Sequence, residues 1–240
     1  MTEPIWQPIA GRYRIAVSPA HRYGTDALLL AHFAAPRRGD RALDLGTGCG
    51  VIPLRLCATG LPGSVHGIDI APQAVALAQR SAAAMAAQGG CPVPTFAVGD
   101  WTQPATLGQD NRYDLITCNP PYFAPGSGAL SAAAADRRSR HEQPGTLPAV
   151  CHAAARLLHP GGRFCLCHRP QRLVAVLAAL TAAGLEPKRL QPVQARSDTA
   201  PWLFLLEARL GGRPGMDWLP PLLPDEPAFQ AILYAENEGD

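Results

Sequence analysis

Three features of the sequence predict an α/β fold with a doubly wound, mostly parallel sheet. From Arg41 onward, runs of strand character alternate with runs of helical character, the pattern of strands joined by crossover helices. Glycine- or proline-rich turns punctuate the changes, most sharply where the apolar run Leu115-Ile116-Thr117-Cys118 meets Asn119-Pro120-Pro121; a proline has no amide donor for a sheet ladder, so the strand ends there. Finally, 240 residues at 47% hydrophobic suffice for one substantial core.

In order along the chain, residues 1–20 are broken by Pro4, Pro8 and Pro19 and read as an extended arm or short hairpin. "GTDALLLAHFA" is a helix that Thr25 or Asp26 can cap, with Leu28 to Phe33 as its apolar stripe. "RALDLG" is the first strand of the alternating region and "GVIPLRLCATG" its helix. "SVHGIDI" is a strand, followed by the alanine-rich helix "APQAVALAQRSAAAMAAQ", which Pro72 opens near its first turn. "PTFAVGD" and "YDLITC" are strands, "LPAVCHAAARLLHPGG" a helix closed by its glycines, and "RFCLCHR" a strand. "QRLVAVLAALTAAGL" is a helix ending at Gly184, and "KRLQPVQA" with "PWLFLLEARL" form a closing strand pair, the seventh strand antiparallel. A single domain is expected: residues 1–38 an arm and helix, 39–210 the alternating α/β core, 211–240 a proline-punctuated surface tail.

Bulk composition excludes little. A net charge of +2 permits an acidic partner without demanding one. Seven cysteines without paired spacing read as reduced core thiols, and no Cys/His set completes a metal site. With no apolar run of membrane-spanning length and no signal-peptide pattern, the chain is expected to stay in the cytoplasm.

Chemistry enters with "DLGTGCGV", where glycines stand at 46, 48 and 50. A glycine-rich first turn lets a ligand approach the backbone outside the carboxyl ends of the strands. The dinucleotide fingerprint would need glycine where Val51 stands, and no Gly-Lys-Ser/Thr follows, which argues against NAD and ATP together. The form Asp-x-Gly-x-Gly-x-Gly resembles the first motif of the class I S-adenosylmethionine-dependent methyltransferases. That likeness implies their seven-stranded Rossmann-like fold and S-adenosylmethionine as cofactor. Two acids follow in the expected order: Asp69 in "HGIDIA" for the ribose hydroxyls, and Asp100 in "AVGDW" for the adenine amine. Their neighbours Ile70 and Trp101 join the predicted cofactor set. Asp44 either holds the glycine turn by hydrogen bonds or touches the cofactor directly.

"NPPY", residues 119–122, resembles the catalytic motif of methyltransferases acting on an amine attached to a planar system. Such nitrogens are poor nucleophiles, so a site must align and polarise them. The Asn119 oxygen and the Pro120 carbonyl are the expected acceptors of the two N–H bonds. Pro121 stiffens the turn, Tyr122 stacks on an extruded base, and Phe123 walls the pocket. Asn119 also borders the cofactor.

"HRYGTDALLLAHFA", "DLGTGCGVIPL", "CNPPYF", "SRHE" and "LLHPGGRF" jointly resemble the bacterial tRNA (adenine-N6)-methyltransferases that modify the adenine next to the anticodon of a valine tRNA. The resemblance implies a tRNA partner and extends the cofactor pocket to Tyr23, Thr25 and Asp26, Asp26 being equally good as a helix cap. The long segment after Tyr122 reads as a substrate loop whose Arg137, Arg138, Arg140 and His141 meet phosphates, or as a solvated charged helix end. A protein glutamine amide, a DNA adenine, another RNA or a small-molecule amine are the competing acceptors, and a non-catalytic cofactor-binding module is the remaining alternative. The first two are disfavoured by the short stretch before the first core strand, which leaves little room for a partner-binding domain.

Overall fold

A computed structural model of the chain describes residues 3–101, 103, 112–120 and 147–234. The amino-terminal arm is a hairpin of β1 (Ile5–Ala10) and β2 (Tyr13–Val17). It packs against the core through Ile15, Ala16 and Val17, all buried. The Ala16 amide donates to the Ser81 hydroxyl at 2.8 Å, which fastens the hairpin to a core helix.

The core elements follow as α1 (Thr25–Ala34), β3 (Arg41–Leu45), α2 (Val51–Ala58), β4 (Ser64–Asp69), α3 (Pro72–Gln88), β5 (Thr95–Val98) and β6 (Tyr113–Cys118). Then come α4 (Leu147–Leu157), β7 (Leu158–His168), α5 (Leu173–Ala182), β8 (Leu185–Val193), β9 (Leu203–Leu210), β10 (Asp217–Trp218) and α6 (Pro227–Tyr234). Among the described residues the main sheet has eight strands in the order β10-β8-β9-β7-β6-β3-β4-β5. From β5 through β7 all pairings are parallel, and β9 inserts antiparallel between β7 and β8. Chain order reverses between β3 and β6: successive strands run one way from β3 to β5, the other from β6. That switch point opens a crevice at the carboxyl edge, where ligands bind in open α/β sheets.

Four expectations need correction. The sheet gains an eighth strand, because the two-residue β10 adds to the edge of the expected seven. The helix over "LPAVCHAAARLLHPGG" ends at Leu157, and residues 158–168 are strand. Pro160 disfavours helical backbone at His159, so the chain turns extended there. Residues 159–162 bulge out between the Tyr113–Leu158 and Leu115–Arg163 pairs. Neither Thr25 nor Asp26 caps α1; Gly24 occupies the cap position without a side-chain bond. Nor is the proline-rich tail a surface appendage, since Leu222, Phe229 and Ile232 are buried and join the main core cluster. Arg55 of α2 reaches the backbone carbonyls of both Ile9 and Ile232, holding hairpin and tail together.

Among the described residues no helix is long and apolar enough to cross a membrane. None of the seven cysteines, all of them among the described residues, is in a disulfide, and six are buried.

Candidate active site

At the end of β3 the glycine turn folds back onto β4. The amides of Gly46 and Thr47 both donate to the Ile68 carbonyl, at 2.9 and 3.0 Å. One residue on, Asp69 uses Oδ2 to accept the Gly48 amide at 2.8 Å and Oδ1 to accept the Ala71 amide at 2.9 Å. Gly48 has φ of +56° and Gly50 of +87°, a region open to glycine at little cost. Their surroundings differ. A Cβ on Gly48 would meet nothing, leaving bare backbone beside open space, whereas one on Gly50 would press on Phe96 and Ala78 at 2.7 and 2.9 Å.

This arrangement fits the amino-acid and ribose portions of S-adenosylmethionine. Gly46, exposed, and Gly48 present uncovered backbone next to a half-buried carboxylate. Each Asp69 oxygen spends one lone pair on a backbone amide and keeps another, which suits a pair of vicinal hydroxyls. Just beyond it, Ile70 holds an apolar side chain 69% exposed at the sheet edge, a surface a purine can cover. Asp100 lies past the end of β5, where Gln103 Nε2 donates to it at 3.4 Å. Trp101 is turned into the core cluster beneath α4, and its carbonyl accepts from Arg156.

Asp44 lies deeper. Its side chain is buried, Oδ1 accepts the Thr117 hydroxyl at 2.7 Å, and burial pushes its pKa up to about 7 against the pull of that hydroxyl. It fastens β3 to β6, the two strands flanking the switch point.

On the other side of that point, the β3–β6 and β6–β7 registers pair Cys118 with both Leu45 and Leu166, so Asn119 emerges between the glycine turn and Cys167. Its amide is held at both ends. Nδ2 donates to Asp26 Oδ2 at 3.0 Å, and Oδ1 accepts the Cys167 thiol at 3.2 Å. A carboxylate can only accept, so Asp26 dictates which end of the amide faces α1 and turns Oδ1 toward Cys167, with a second lone pair on that oxygen left to accept. The other Asp26 oxygen accepts the Ala27 amide at 2.9 Å, which fixes the carboxylate itself. Pro120, next in the chain, is buried, and Thr25 and Tyr23 are half-buried near the start of α1.

The structure therefore gathers Gly46, Gly48, Gly50, Asp69, Asn119 and Asp26 along one edge, with Ile70 and Asp100 just past the ends of β4 and β5. Pro121, Tyr122, Phe123, Arg137, Arg138, Arg140 and His141 lie outside the described residues. Two features of the site carry no motif in the sequence. Cys167 reads there as a core thiol, and it is the Cys165-Leu166-Cys167 alternation together with the β6–β7 register that carries it to Asn119. The second is a pocket of about 440 Å³ lined by Asp26, Arg169, Gln171, Pro201, Trp202 and Leu203. Its residues are scattered over three segments and bear no shared motif.

Fold and site define a class I S-adenosylmethionine-dependent methyltransferase, and residues 36–191 match the methyltransferase domain family. Within that class, the chain belongs to the tRNA1(Val) (adenine(37)-N6)-methyltransferase family. A relative of that name from Porphyromonas gingivalis is 32% identical over 75% of this chain and 77% of its own length. Another, from Dickeya chrysanthemi, is 34% identical over 61% of this chain, which spans only 56% of that protein. The release factor glutamine methyltransferase of Bordetella pertussis is also similar, 32% identical over 70% of this chain and 60% of that one. Among solved structures, a predicted O-methyltransferase from Agrobacterium tumefaciens has the same fold, with a TM-score of 0.68 at 21% identity over 88% of this chain and 97% of that one.

Proposed function

We propose that the enzyme methylates the exocyclic N6 amine of an adenine in tRNA near the anticodon. The observation that carries this reading is the clamped Asn119 amide, its oxygen oriented by Asp26 and Cys167 at the switch point of the sheet. Relatives named for this reaction support the choice of acceptor.

Bound S-adenosylmethionine would supply an electrophilic methyl group on a sulfonium, held by Asp69, the Gly46–Gly50 turn and Ile70. Asn119 Oδ1 accepts one amine hydrogen and the Pro120 carbonyl the other. These bonds draw the nitrogen lone pair out of conjugation and aim it along the line of attack. Asp26 keeps the Asn119 amide from rotating, and Tyr122 stacks on the adenine ring. No strong general base is needed, because the amine proton becomes acidic once its nitrogen carries the methyl.

A glutamine side-chain amide presents the same planar NH₂ group, and the Bordetella pertussis relative acts on one by name, which makes it the second reading. The test is methyl transfer to tRNA lacking its native modifications, read by nucleoside mass spectrometry, beside a parallel assay on a release factor. N6-methyladenosine in the tRNA supports the proposal; methylated glutamine with unlabelled tRNA replaces it with the second reading.

A further inference from the structure

We infer that the pocket between Asp26 and Trp202 holds a nucleotide flanking the target adenine, with Trp202 stacking on its base and Arg169 meeting its phosphate. The inference rests on the tRNA reading above and deepens it by assigning a subsite for the RNA.

Strand direction creates the pocket. β9 runs antiparallel to β7, so its first residues lie at the edge where β6 and β7 end, with Phe204 paired to His168. Trp202, two residues upstream, is thereby carried to the same edge as Asn119. Its amide donates to the Val193 carbonyl at 2.9 Å, fixing the backbone, while the residue remains 41% exposed. A large exposed indole on a rigid backbone is a stacking platform that any base can use.

Across the pocket the chain leaves β7 through Arg169, whose amide donates to His168 Nδ1 at 2.8 Å, and enters a short 3-10 turn over Pro170–Arg172. Arg169 and Arg172 are exposed there. Their positive field adds to burial in pulling the His168 pKa down to about 4, so the imidazole is neutral at physiological pH and the guanidinium groups carry the local charge. Among the described residues that line the pocket the anion is Asp26, which is engaged by the amides of Ala27 and Asn119. That last bond also places the pocket one side chain away from the acceptor amide. An aromatic face, a basic rim and a volume of about 440 Å³ match a single nucleotide.

The experiment compares steady-state kinetics on an unmodified anticodon stem-loop RNA and on the same RNA made abasic at the two nucleotides flanking the target adenine. In Trp202→Ala, KM for the intact stem-loop is expected to rise roughly tenfold, the loss of one stacked base. Its kcat and its affinity for S-adenosylmethionine stay unchanged, and Trp202→Phe recovers most of the loss. On the abasic RNA, wild type and Trp202→Ala converge. Arg169→Ala lowers the slope of log KM against log salt by about 0.7, the release of one counterion equivalent from a single strand. The proposal is overturned if wild type methylates the stem-loop and Trp202→Ala leaves KM unchanged, or if the variant loses as much on abasic RNA as on intact RNA. A defect confined to methylation of a glutamine peptide would assign the pocket to a protein acceptor and overturn it equally. Failure of the wild-type enzyme to methylate any RNA is a different result, because it removes the parent reading.

Discussion

The two sides of the carboxyl edge are built by different means. On the cofactor side, the turn at residues 46–50 and the Asp69 carboxylate form a unit of backbone geometry. Positive φ angles, two amides on the Ile68 carbonyl and one on Asp69 all arise within 25 residues of chain. On the acceptor side, Asn119 gains its orientation from Asp26, 93 residues earlier, and Cys167, 48 residues later. In the roles proposed above, the cofactor site is set by local backbone, whereas aiming the Asn119 oxygen at a weak nucleophile takes contacts assembled by the whole fold. It follows that damage on the two sides should separate into affinity and turnover.

The largest effect is expected from Asn119→Ala. Loss of the polarising acceptor should lower kcat by about 10²–10³-fold, by analogy with the removal of one preorganised hydrogen-bonding group at a reacting centre. Isothermal titration should meanwhile find S-adenosylmethionine affinity retained.

Asp44, on the seam between the two sides, supplies a pH test. Folding raises its pKa from 3.8 to about 7, so the folded state holds that proton more tightly than the unfolded chain does. Its contribution to stability is complete below about pH 4 and is lost as pH rises through 7, by an amount of order a few kcal/mol. Denaturant melts of the cofactor-free protein should show Asp44→Asn abolishing that part of the decline. A variant that tracks wild type at every pH would mean the carboxyl is not desolvated.

Asp69→Ala comes next, removing a charged acceptor worth about 1.5–3 kcal/mol. The dissociation constant for S-adenosylmethionine should rise by one to two orders of magnitude, with kcat at saturation nearly unchanged. Gly50→Ala combines a left-handed backbone with contacts to Phe96 and Ala78 below 3 Å. It should cost about 2 kcal/mol in global stability, visible as a lower Tm. The smallest effect belongs to Asp26→Ala, which frees the Asn119 amide to rotate without removing it. A loss in kcat of about tenfold, the size of one ordinary hydrogen bond, is expected with cofactor affinity intact.

The same division explains what could be read from the amino-acid sequence. The alternating core and the edge carrying the glycine turn were legible, because strand pattern, glycine spacing and a following acid are short-range signals. Asn119 was legible as a residue type at a strand end. Its partnership with Asp26 was not: "GTDALLL" reads equally well as a capped helix, and only the packing of α1 over β6 and β7 brings that carboxylate to Asn119. The tail misled for a related reason. Prolines at 214, 220, 221, 224 and 227 suggest an undocked surface segment. Yet they leave Leu222, Phe229 and Ile232 free to enter the core, and composition does not say which apolar residues find a partner. Trp202 and Arg169 become neighbours only through the antiparallel insertion of β9, a topological fact with no local trace.

The division itself is tested most directly by measuring, for Asn119→Ala and Asp69→Ala side by side, the dissociation constant of S-adenosylmethionine and the kcat for methylation of unmodified tRNA. The predicted result is a crossed pattern, in which Asn119→Ala loses turnover and keeps affinity while Asp69→Ala loses affinity and keeps turnover. Parallel loss of both quantities in both variants would contradict the account, and would mean that the two sides of the edge act as one cooperative site.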